Sequence, residues 1–287
     1  MKVEEELTHI RLNLVSNNLT STIEFRLNRE KFSQRHIFDR LNSGQLYEPH
    51  LSKLLLRLLR KGDTFIDVGA HVGYFSILAS ALVENSGRVI SCEPDVENFS
   101  HILGHAELNK QTNIVAQNLV VSDNDGSVAF YFNSDNDGGH ALWDPGLHDF
   151  NKKSQLTVQK NSCDSIRIDT LFKKHGVKQC RLLKIDTEGA ELSVLKSGEN
   201  SFTPNKVPFV VSEINQFGLS KMHADLTELR QLMRRKGYST FVFSKDDQIP
   251  VMVPDNTTIG SEFVYNMIFT TSEALGSAWP SITPYVD

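Results

Sequence analysis

The chain opens with two stretches in which apolar and polar residues alternate, 8–15 and 21–28. Alternation of period two marks a half-buried strand, and Asn17-Asn18 between the stretches favours a tight turn, so together they predict a β-hairpin. A polar helical stretch follows over 29–41. Leu51, Leu54, Leu55, Leu58 and Leu59 then fall on one face of a helix over 51–59, which Lys61-Gly62 should stop.

From residue 64 the rhythm changes to short apolar runs separated by helical segments. Strands are predicted at 64–68, 88–92, 114–117, 127–132, 165–169, 181–185, 207–213, 239–243 and 262–270, and helices at 75–83, 98–109, 190–196 and 224–236. Such alternation predicts a doubly wound α/β fold with a mostly parallel sheet and right-handed crossovers. Residues 1–60 form a hairpin-and-helix extension in this reading, and 61–287 the α/β domain. A polar stretch at 133–161, rich in Asp, Asn, Gly and His, breaks the alternation. A segment this long is expected to be either functional or disordered. It should be a mobile lid that closes over a substrate, burying Leu142, Trp143 and Phe150 as it does so, or else a contact in a homo-oligomer.

Composition narrows the classes. Across 287 residues, 39% are hydrophobic and 23% charged, which supports a packed core. A net charge of -5 speaks against nucleic acid as the partner. No run approaches the roughly 18 apolar residues of a membrane span, so no membrane partner is expected. Cys92, Cys163 and Cys180 are far apart and form no CxxC pair, which excludes a zinc knuckle and argues against a disulfide framework. The first ten residues lack the apolar core of a signal peptide, and a cytoplasmic location is expected.

The chemistry concentrates where the first parallel strand turns into its helix, at Asp67-Val68-Gly69-Ala70-His71-Val72-Gly73-Tyr74-Phe75-Ser76. Glycines there let a ligand approach the backbone, and a helix start offers free N–H groups. A dinucleotide would need glycine where His71 and Tyr74 stand, and no P-loop lysine is present. Glu93, at the end of the second strand and directly before Pro94, is placed to hold ribose hydroxyls. A ligand with a ribose, an amino-acid-like head and no pyrophosphate is implied, and S-adenosylmethionine fits that description.

These residues, together with Cys92-Glu93-Pro94 and Leu183-Lys184-Ile185-Asp186-Thr187-Glu188-Gly189-Ala190-Glu191, resemble the FkbM family of methyltransferases over roughly Tyr47 to Asn215. The first motif is common to many methyltransferases. The KIDxEGAE segment is more specific. The resemblance implies a class I, Rossmann-like fold and an S-adenosylmethionine-dependent enzyme that O-methylates a small molecule, natural product or glycan. His71 departs from the asparagine the family commonly carries, which should alter loop contacts and leave the glycines intact.

The cofactor positions expected are Asp67, Gly69, Ala70, Gly73, Tyr74, Phe75, Glu93, Pro94, Asn118, Leu119 and Asp186. Asp186 and Glu213, at the ends of adjacent strands, are the candidate catalytic carboxylates, with Glu188 beside them. His140, flanked by flexible glycines, is a candidate general base carried by the loop. Trp143 and Tyr74 are candidate acceptor walls. Asp186, Glu213 and Asn215 could alternatively ligate Mg²⁺, but the sequence lacks dense Asp clustering and no metal is expected. Glu191 reads as a first-turn helix acid. Two rival functions carry the same cofactor half: an N- or carboxyl-methyltransferase acting on a peptide or protein, and a non-catalytic nucleotide-binding scaffold.

Overall fold

The computed structural model describes residues 7–16, 19–243, 249–257, 259–260 and 264–279. β1 (Leu7–Ser16) and β2 (Leu19–Asn28) pair antiparallel with Leu7 opposite Asn28. The turn expected at Asn17-Asn18 lies outside the described residues. α1 (Phe32–Asn42) follows, then α2 (Pro49–Leu58), whose first position is held by Pro49 with its fixed φ.

The α/β part runs β3 (Thr64–Val68), α3 (Tyr74–Val83), β4 (Arg88–Cys92), α4 (Val96–Leu108) and β5 (Ile114–Gln117). Next come β6 (Val120–Val121), β7 (Gly126–Phe132), α5 (Lys152–Leu156), β8 (Gln159–Ile166) and α6 (Ile168–Lys174). The chain continues through β9 (Leu182–Ile185), α7 (Glu191–Ser197), β10 (Phe209–Ile214), α8 (Gln216–Lys221) and α9 (Leu226–Arg235). It ends in β11 (Ser239–Val242), β12 (Val251–Met252), β13 (Tyr265–Thr270) and α10 (Ser272–Ala278).

The main sheet has the order β12-β11-β13-β10-β9-β3-β4-β5. β5, β4, β3, β9 and β10 are parallel, and chain order departs in both directions from β3, which is the doubly wound arrangement. β13 returns antiparallel between β10 and β11. The switch point lies between β3 and β9, where ligands bind in such sheets. Because side chains alternate across a strand, each face has its own core. Phe65, Phe209 and Val211 pack with α2 and α3, whereas Ile66, Val210 and Leu183 pack with Leu195 of α7 and Leu229 of α9. The hairpin covers the first face. Phe25 stacks on Tyr74 at 5.5 Å, and His105 of α4 bonds the backbones of both Val72 and Arg26.

Several predicted boundaries move. The strand expected at 165–169 is instead the end of β8 and the start of α6. Asp125 takes the Arg167 N–H and the Thr170 hydroxyl, and Ser197 Oγ takes the Ile168 N–H. Those bonds satisfy free helix-start donors, and Asp169 suits a first turn. The stretch 133–161 is not bare loop: it holds a 3₁₀ turn at Pro145–Leu147, then α5 and the start of β8. The strand expected at 207–213 begins later, at Phe209 after Pro208. Part of the strand expected at 262–270 lies outside the described residues, and β13 covers Tyr265–Thr270.

Candidate functional site

The turn after β3 is built so that only glycine fits. Gly69 has φ +75°, and a Cβ there would lie 1.7 Å from the Asp186 carbonyl oxygen. The turn therefore runs against the end of β9, and Gly69 and Ala70 donate their N–H groups to the Cys92 carbonyl at 3.0 and 3.1 Å. Across it lies Glu93. Its Oε2 accepts the His71 N–H at 2.8 Å and its Oε1 the Asp95 N–H at 2.9 Å. Burial pushes this carboxyl up to about 8, against the pull of those two bonds. Each oxygen keeps a lone pair for a hydroxyl.

At the other end of the same cavity stands an acidic cluster. Lys184, on the buried strand β9, pairs with Asp186 at 3.0 Å and Asp67 at 3.5 Å, and donates to the Gly69 carbonyl at 3.3 Å. Burial disfavours its charge, but Asp186, Asp67 and Glu48 more than compensate and hold the ammonium above its usual range. Asp67 is fully buried and accepts the Ser76 hydroxyl at 2.7 Å. The side-chain oxygens of Glu48, Asp186 and Glu213 all lie within 4.8 Å of one another. Burial and the Asp186 charge raise Glu48 to about 7, and burial with the charges of Asp186, Glu188 and Glu48 lifts Glu213 well above the carboxylate range.

Glu188 sits beside them in the left-handed region at φ 54°, accepting Asn215 Nδ2 at 2.7 Å. Burial and Asp186 raise it to about 8. Its turn is locked from below: a Cβ on Gly189 would lie 2.3 Å from the Gly218 carbonyl carbon, and one on Gly218 would lie 2.5 Å from the Glu188 oxygen. The third carboxylate of the cluster is thus Glu48, from the turn before α2, and not Asn215, whose Oδ1 caps α8 through the Gly218 N–H. Glu191 is structural. Its Oε1 accepts from Thr187 N, Thr187 Oγ1 and Gly189 N at 3.0–3.1 Å.

The first half of the 133–161 stretch is tied down. Asp137 takes the Ser33 N–H at 2.7 Å and lies 2.9 Å from His71 Nε2, and its carbonyl accepts from Asn98. Burial would raise this carboxyl, yet His71 and the Ser33 N–H hold it at about 2. His71 thereby ties the turn after β3 to the 133–161 stretch. Asn136, Asp137, Gly138, His140 and Leu142 line the cavity. His140 Nδ1 accepts the Asn133 N–H at 2.9 Å, which leaves Nε2 as a donor, and burial pushes the ring down to about 4. Asp95, His71 and Asp137 are the charges it feels, so it stands toward the Glu93 end. Trp143 does not line the cavity; its Nε1 donates to the Glu188 carbonyl at 2.6 Å and its ring packs on Phe217. Phe150 is 84% exposed.

Of the other sequence candidates, Ala70, Tyr74, Phe75, Pro94 and Leu119 line the cavity. Tyr74 does so from the core, with its hydroxyl near Ser52. Gly73, left-handed at φ +85°, starts α3 against Ile102. Asn118 donates to the Glu93 and Pro94 carbonyls and so shapes that turn without lining the cavity. Sequence reasoning missed Lys184 and Glu48 as site residues. A lysine flanked by leucine and isoleucine in a strand buried throughout was a legible signal for the first. Among the described residues, no helix is long and apolar enough to cross a membrane.

Comparison with known proteins follows the same residues. The family model of the methyltransferase FkbM domain matches residues 67–240. Hexuronic acid methyltransferase AglP of Haloferax volcanii is 24% identical over 168 residues, 58% of this chain and 62% of that protein, so the match spans less than two thirds of AglP. Methyltransferase 1 of Beauveria bassiana is 25% identical over 195 residues, 64% of this chain and 76% of that protein. Among solved structures, methyltransferase FkbM from Methylobacillus flagellatus aligns with a TM-score of 0.44 at 15% identity, covering 83% of this chain and 54% of that one.

Proposed function

Given that this chain belongs to the FkbM methyltransferase family, we propose that it binds S-adenosylmethionine along the cavity and methylates a hydroxyl of a small molecule or glycan. The observation that carries this is one cavity bounded at one end by Glu93 and at the other by Asp186, Glu213 and Glu48, with the Gly69 turn between them. The residues fit the cofactor. Glu93, fixed by two backbone N–H groups, accepts from ribose hydroxyls. Pro94 and Leu119 give apolar walls for a base. The cradle at Gly69 is kept free of any side chain, and Asp186 complements the ammonium of the amino-acid end.

When bound, S-adenosylmethionine supplies an electrophilic methyl group on sulfur. The chain's own groups have two tasks, orientation and proton removal. Asp186, paired through one oxygen with Lys184, orients the cationic end. Glu213, whose raised pKa makes its ionised form a stronger base, takes the acceptor's hydroxyl proton. His140 presents a donor and positions a ligand oxygen, so the base role considered for it passes to Glu213. The hexuronic acid acceptor of AglP supports a sugar-like acceptor class. Titration calorimetry with S-adenosylhomocysteine, alongside transfer of labelled methyl to a panel of sugars, phenols and peptides, tests the reading. Micromolar binding and label on a hydroxyl are expected. Tight NAD binding with none for S-adenosylhomocysteine would sink it.

A further inference from the structure

Glu48 lies outside the 67–240 match, between α1 and α2, yet it reaches the far end of the cavity. Its backbone is left-handed, with φ 38° and ψ 73°, a conformation few non-glycine residues adopt unless the surroundings impose it. Pro49 follows as the first residue of α2. Asn266 Nδ2 donates to Glu48 Oε2 at 3.2 Å, and Asn266 stands opposite Glu213 in the β10–β13 register. Helix start and sheet therefore both fix one carboxyl group beside Asp186 and Glu213.

The charge balance of that end is one-sided. Among the described residues lining the cavity, Lys184 is the one lysine or arginine, and it is already paired with Asp186 and Asp67. A carboxylate entering beside Glu48, Asp186 and Glu213 would meet like charge at Asp186, and at Glu48 and Glu213 wherever these are ionised, in a partly desolvated space. A hydroxyl would instead find acceptors and, where Glu48 or Glu213 holds a proton, a donor.

We propose that Glu48 is an acceptor-binding residue, and that with Asp186 and Glu213 it selects an uncharged, hydroxyl-bearing acceptor over one that carries a carboxylate. This rests on the methyltransferase reading of the cavity. It sets the chain apart from a relative named for a hexuronic acid.

The test uses the full chain loaded with S-adenosylhomocysteine, in EDTA, with two probes that differ only at C6: methyl glucopyranoside and methyl glucopyranosiduronate. Saturation-transfer NMR and calorimetry should show the neutral probe binding at least about tenfold more tightly. Glu48→Gln, which keeps the shape and removes the charge, should narrow that gap severalfold. Glu48→Asp should preserve it, and saturating S-adenosylhomocysteine, checked for each variant by calorimetry, keeps the comparison to the probes. Equal binding of the uronate overturns the proposal. So does uronate binding that appears only with added Mn²⁺, which would make the cluster a cation site. Failure of both probes on protein that still holds S-adenosylhomocysteine overturns it as well. If S-adenosylhomocysteine itself does not bind, the methyltransferase reading fails first and this proposal falls with it.

Discussion

The two ends of the cavity solve the same problem, a buried carboxylate, by different means. At the first end both Glu93 oxygens are held by backbone N–H groups, from His71 and Asp95. At the second, Asp186 depends on side chains: Lys184 from its own strand, and around them Asp67, Glu48 and Glu213 from three other segments. Main-chain donors stay in place whatever side chain is attached to them. A lattice of charged side chains has no such insurance, because removing one member leaves the others unpaired.

The largest effect should come from breaking the second end at Lys184. Lys184→Met leaves Asp67 and Asp186 without a counter-charge, and urea unfolding should show a loss of about 3–5 kcal/mol. A loss below about 1 kcal/mol would mean that the pairs there are too well screened to matter. The first end should respond in affinity as well as in folding. Glu93→Gln sets an NH2 group against one of the two backbone N–H donors, and should cost about 1–3 kcal/mol in calorimetric S-adenosylhomocysteine binding and a similar amount in unfolding. Unaltered affinity would remove Glu93 from the ribose.

A smaller effect joins both ends through pH. Glu48, Glu93, Glu188 and Glu191 carry folded pKa values raised to about 7, 8, 8 and 7. In the unfolded chain these groups release their protons near the ordinary carboxylate value of about 4.3. Between those limits the folded state binds more protons, so stability contributed by the protonated forms is lost as pH rises toward 8. His105 and His140, lowered to about 4 by burial, act in the opposite sense: their contribution is lost as pH falls from about 6.5 toward 4. The four carboxyls outweigh the two histidines, so melting temperature measured without ligand should decline as pH rises from about 5 to 8. A melting temperature that climbs steadily from pH 6 to 8 would refute the carboxyl assignment. The smallest effect concerns His140. Its Nδ1 is already occupied, so His140→Ala should lower kcat by no more than about tenfold. A fall of about a hundredfold or more would restore it as the general base.

The same contrast explains what the sequence made legible. Strand and helix periodicity from Thr64 onward pointed to a mostly parallel sheet, and the leucines of α2 announced their buried face. The Gly69 turn and Glu93 were readable because both stand in short motifs at the ends of neighbouring strands. Glu48 was not, since nothing near Pro49 hints that an alpha-helix start will meet β9 and β10. The loop misled for a related reason. Its polar residues look solvated in the sequence, but Asp137, Asn133 and Asp135 spend their hydrogen bonds on His71, Ser33 and Ser154. A polar segment that satisfies its own donors needs no apolar anchor.

The bare contact between Gly189 and Gly218 also sets where this protein can diversify. With backbone against backbone and no side chain between, the Glu188 turn and α8 form one gear: any larger residue at either position displaces Glu188 and Asn215 together. Lineages that acquire new acceptors, and libraries built to evolve them, should leave this pair alone and accumulate changes at the rim, around Tyr47 and along 133–161, where a replaced side chain alters the shape of the pocket without turning the gear.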